Sequence, residues 1–130
     1  MLMPTTNTLP LQIFSWALRH ETWLHRKMQR AVIRWACKHA YACFAAEHPL
    51  WAESLFDAHF LAHAAAPLVA RAIEPSNRPT PAEFAAAWFA QCSAPGASAR
   101  DANLVEVAMA AAEFMHHLDA ALQPYQVILR

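Results

Sequence analysis

A chain of 130 residues has the length of one domain with one core, and its 30 alanines against nine valines and isoleucines suit helices and starve strands. A single glycine excludes phosphate-cradling loops, which need backbone freedom and close approach. The formal net charge of zero hides an uneven distribution: residues 1–40 carry six lysines and arginines against one acid, and residues 41–130 carry four against nine.

The expected fold is all-α, a single-domain bundle of four to five helices over residues 1–130 with one long basic amphipathic helix near the N-terminus. Residues 1–10 read as a polar, proline-flanked leader, and Leu11 to His20 as a short apolar segment that can begin a helix with Pro10 at its first position. From Glu21 to Glu47 nothing breaks a helix. Leu24, Met28, Ala31, Val32, Trp35, Ala36, Ala40, Cys43 and Phe44 recur at three and four, which predicts a core-facing stripe. Pro49 stands where a first-turn proline belongs, so a second helix is predicted from His48 through Leu55, Phe56, Phe60 and Leu61. Pro67 lies inside that pattern and predicts a kink or break just before it, with a short continuation to Ile73.

Residues 74–81, with three prolines, predict a loop. Its end is well specified, because Thr80, Pro81 and Glu83 spell a capping box with proline at the first helical position. The helix they open is expected to stop near Cys92. Residues 93–99, with Pro95 and Gly96, predict a second loop. A last helix is predicted from about Arg100 to Leu122, ended by Pro124. Residues 124–130 then form a tail, and Tyr125 to Arg130 is the one stretch of strand-like composition, suited to packing on the bundle or adding to a partner.

The surface feature with most chemical content is basic. Arg26, Arg30, Arg34 and Lys38 are each four apart and form one stripe along the first long helix, with Lys27 beside it and Trp23 at its border. Such a face suits an acidic protein surface or groove, nucleic-acid phosphates, anionic lipid, or this chain's own acidic helices. Trp23 is the tryptophan expected to stay partly exposed as an interface anchor.

Eight histidines are many for this length. His59 and His63 are one helical turn apart and can share a metal, but Glu53 and Asp57 project from nearly the opposite side of that helix. Glu113 and His116, with His117 adjacent, have the Glu-x-x-His spacing of di-iron bundles, yet no second copy of that motif exists. No serine sits in a Gly-x-Ser-x-Gly turn. Cys37, Cys43 or Cys92 with His39 or His48 makes a nucleophile and base on paper, and three cysteines without a signal-like start suggest free thiols and a cytoplasmic protein. No apolar run reaches a membrane span of about 20 residues.

These observations favour a non-catalytic helical protein that binds another protein as an adaptor, regulator or inhibitor, with a homodimer as a further expectation and no cofactor. The alternatives are nucleic-acid binding through the basic helix 21–47 and a histidine-based metal or haem site.

Overall fold

The structure, a computed structural model, describes residues 22–93 and 103–129. Among these it contains six α-helices and no strand: α1 (Thr22–Glu47), α2 (Pro49–Ser54), α3 (Ala58–Ala62), α4 (Ala66–Arg71), α5 (Pro81–Cys92) and α6 (Leu104–Leu129), with one 3-10 turn over Pro75–Asn77. The chain is all-α, as its composition requires. The segments 1–21 and 94–102, which include the leader, the apolar segment at 11–20, most of the 93–99 loop and the expected start of the last helix, lie outside the described residues.

α1 packs along α6, and α5 also packs on α6. The buried stripe of α1 is Val32, Ala36, Ala40 and Phe44, each four residues from the next and each fully buried. Alanines at 36 and 40 let the two long helices approach closely. At the centre, Phe114 of α6 meets the rings of Phe44, Phe56 and Phe84, with centroids 6.1, 6.2 and 6.0 Å away and interplanar angles of 61° to 87°. Edge-on packing of this kind suits the ring quadrupoles and leaves five phenylalanines, Phe60 included, without solvent contact.

Residues 48–73 are more broken than expected, with a second interruption besides the kink or break predicted before Pro67. α1 stops at Glu47 because Pro49 keeps His48 out of helical backbone space, at φ −132° and ψ 68°. The unexpected break comes at Leu55–Asp57. Asp57 caps α3 instead of continuing α2, its Oδ1 accepting from the Phe60 N–H at 2.7 Å. The carbonyl of Leu55 left open there accepts from the buried Trp88 Nε1–H at 2.7 Å, so tertiary packing satisfies the break. The break before Pro67 falls at His63–Ala65, and α4 begins at Ala66 with that proline in its first turn.

The capping box forms as spelled. Thr80 Oγ1 accepts from the Glu83 N–H at 3.3 Å, and Glu83 Oε2 accepts from the Thr80 N–H at 2.8 Å. α6 departs from expectation at its end: Pro124 does not stop it, and residues 124–129 are helix, neither tail nor strand. An interior proline loses the bond to the carbonyl four residues back and costs roughly 3 kcal/mol. Long-range packing offsets that cost. Tyr125 is buried with its ring edge-on to Trp35 at 5.9 Å, and Gln126 Nε2 donates to the Ala72 carbonyl at 2.9 Å. At its other end α6 is capped by Asn103, whose Oδ1 accepts from the Glu106 N–H at 2.7 Å.

Candidate functional site

Arg26, Lys27, Arg30, Arg34 and Lys38 are all exposed on α1, and Trp23 beside them is 62% exposed. Since 30 and 34 straddle 32 on a helix with 3.6 residues per turn, the cations face away from the buried stripe. From Trp23 to Lys38 this face runs about 22 Å at 1.5 Å per residue. Among the described residues none of the five cations forms an ion pair with an acid. Two of the chain's acids are held by other arginines. Arg71 holds Glu83 through two bonds of 2.9 and 3.3 Å, and Arg78 holds Asp119 through two, of 2.9 and 2.6 Å. The bonds from Arg71, then that from the Thr80 backbone, hold the Glu83 carboxyl below the ordinary glutamate range. The stripe is therefore not neutralised by the described part of its own chain.

The C-terminal end of the stripe borders a groove of about 380 Å³ between α1 and the α3–α4 segment. Ile33, Cys37 and Tyr41 line it from α1, one turn apart, and Leu61 and Val69 close the other side. Ala58, Ala62 and Ala66 keep its mouth open, and Arg34 and Lys38 stand among its walls as its charged residues. Burial pushes the Cys37 thiol up to about 11, so at neutral pH it is a protonated, apolar part of the lining rather than a nucleophile. The basic spacing was readable from sequence. The groove was not, because its far wall comes from α3 and α4, which follow the break at Leu55–Asp57.

The histidines sort differently from their spacing. His59 and His63 are exposed with ring centroids 4.3 Å apart, and among the described residues no third ligand joins them. His116 is exposed, and its ring lies at 68° to that of His117. Glu113 is not paired with His116. Instead Glu113 Oε2 lies 3.5 Å from His48 Nε2, and His117 Nε2 lies 3.1 Å from Glu47 Oε2. Glu47 and His48 are the members of this group that spacing did not reveal, since they stand on another element. A local signal was present in the one-turn spacing of Glu113 and His117. Cys43 Sγ is 3.9 Å from His39 Nε2, but His39 is stacked on Trp35 and among the described residues no carboxylate bonds it into a base.

No helix among the described residues is long and apolar enough to cross a membrane. Comparison with protein-family models, with curated proteins and with solved structures finds no match to this chain. The fold and its surfaces define an all-α bundle that carries a cation-bordered apolar groove.

Proposed function

We infer that this chain is a non-catalytic protein-binding module, an adaptor, regulator or inhibitor, which takes an acidic amphipathic helix of its partner into the groove between α1 and α3–α4. The observation that carries this reading is the junction of an apolar groove with a stripe of exposed cations at Arg34 and Lys38, which form no ion pair among the described residues. A helix laid in such a groove anchors with apolar residues at i, i+3 or i+4 and i+7, while acids on its flank meet Arg26, Arg30 and Arg34. The charges steer and orient the partner, and the apolar floor supplies most of the affinity. Trp23 lies at the far end of the same face, where a longer partner would reach it.

The exposed run of cations also favours a second reading, contact with nucleic-acid phosphates. Ala62 separates the two. It is exposed at the mouth of the groove, so Ala62→Phe fills the groove without touching the core. The test is selection of helical peptides from a displayed library on the wild-type protein, counter-selected on Ala62→Phe. Enriched sequences are expected to carry the apolar spacing with Asp and Glu on one flank, and to lose affinity at least tenfold on Arg34→Glu/Lys38→Glu. Failure to enrich any such sequence, together with DNA or RNA binding that is steeply salt-dependent and unaffected by Ala62→Phe, transfers the function to nucleic acid.

A further inference from the structure

The corner where α1 turns into α2 meets the middle of α6, and four ligand-type side chains converge there. Pro49 holds His48 in its non-helical backbone, and the His48 ring lies stacked on Trp51 at 4.7 Å and 23°, with Phe44 at 5.8 Å. This fixes the direction of the imidazole. Its Nε2 is 3.5 Å from Glu113 Oε2 and 3.9 Å from Glu47 Oε2, and one ligand atom from each of Glu47, His48 and Glu113 lies within 4.8 Å of the others. His117, the least exposed of the four, sits 3.1 Å from the same Glu47 oxygen.

Donors bound about 2.0–2.2 Å from one tetrahedral ion stand roughly 3.3–3.6 Å apart. The separations from His48 of 3.5 and 3.9 Å fall close to that, the two carboxylates lie within 4.8 Å of each other, and both are exposed enough to rotate the remaining distance. Charge favours a cation as well. Among the described residues no lysine or arginine pairs with Glu47 or Glu113, so two carboxylates face only imidazoles.

We propose that Glu47, His48 and Glu113 bind one divalent transition-metal ion of the zinc class, with His117 donating from Nε2 to the Glu47 carboxylate and solvent completing the coordination. An imidazole ligand selects zinc-like ions over calcium and magnesium, which require oxygen. The hydrogen bond from His117 is the kind of outer contact that orients a ligating carboxylate. The bound ion ties the α1–α2 corner to α6 and leaves open positions for a further donor. The site stands about 13 Å beyond Lys38 along the helix, at 1.5 Å per residue, and does not depend on the groove reading.

The experiment is calorimetric titration of zinc into metal-stripped protein, beside magnesium and calcium. One equivalent of zinc per chain is expected, with no heat from the other two ions. Glu113→Gln and His48→Gln should each weaken zinc at least tenfold, His117→Gln several-fold, and the double variant His59→Ala/His63→Ala not at all. Absence of zinc binding, binding that survives Glu113→Gln and His48→Gln, or binding abolished by the His59/His63 change overturns the proposal. Because a variant that fails to fold would also fail to bind, helix content by circular dichroism accompanies each titration. Copper(II) broadening of amide signals in the wild-type protein gives the independent reading: centred on residues 47, 48 and 113 it supports the site, and centred on 59 and 63 it overturns it.

Discussion

If the basic stripe is free, reversing one of its charges stabilises the fold. Arg30 has like-charged neighbours at i−4 (Arg26), i−3 (Lys27) and i+4 (Arg34), all exposed. Each such pair destabilises a helix by about 0.2–0.5 kcal/mol, and an opposite pair at the same spacing stabilises it by a similar amount. Arg30→Glu converts all three repulsions into attractions, while arginine and glutamate differ little in helix propensity. The gain is about 1–3 kcal/mol at low ionic strength, which for this chain length raises the melting temperature by roughly 3–12 °C. Urea unfolding followed by circular dichroism reads it as a higher midpoint with an unchanged slope. Arg30→Gln should give about half the effect, and 1 M salt, with a screening length of about 3 Å, should remove most of it. The same substitution should weaken partner binding, so stability and binding move in opposite directions. If Arg30→Glu instead lowers stability by about 0.5 kcal/mol or more, a change beyond the usual range for exposed positions, Arg30 is paired within its own chain and the free stripe does not exist.

Three further outcomes follow from the packing. Phe114→Ala removes a fully buried ring that touches three others and should cost about 3–5 kcal/mol in urea unfolding; a loss under 1 kcal/mol would mean that the aromatic cluster is not the centre of the core. Gln126→Ala deletes the bond to the Ala72 carbonyl and should cost about 1 kcal/mol, with amide exchange accelerating first in the turn after Pro124; unchanged exchange there would show that Tyr125 alone holds that turn. Glu83 has a folded-state pKa below its unfolded value, so its contribution is complete at neutral pH and disappears as pH falls through the depressed pKa. Arg71→Gln should accordingly bring acid unfolding on at higher pH and move the Glu83 carboxyl titration upward by NMR, and identical titrations would show that Arg71 does not perturb it.

Features set by neighbours within one helical turn were legible in the chain. The box at Thr80, Pro81 and Glu83 satisfies its own backbone groups, so nothing distant had to be known. The cations at 26, 30, 34 and 38 share a face by periodicity alone. Asp57 was harder, because an aspartate three residues before Phe60 serves equally as a helix surface residue or as a cap. Only the packing of Trp88 on the Leu55 carbonyl decides between them. Pro124 shows the opposite override, where a local stop signal yields to Tyr125 and Gln126, which contact residues more than 50 positions away. The group at Glu47, His48, Glu113 and His117 was hidden for the same reason, since its halves meet only when α1 lies along α6.

Whether the groove takes a partner helix is read by a 1H–15N correlation titration, with an acidic amphipathic helical peptide and a duplex oligonucleotide as separate probes at physiological salt. The peptide is expected to shift Ile33, Cys37, Tyr41, Leu61 and Val69 together with Arg34 and Lys38, and to shift none of them in Ala62→Phe. Shifts confined to the exposed cations and produced by the oligonucleotide alone would contradict it.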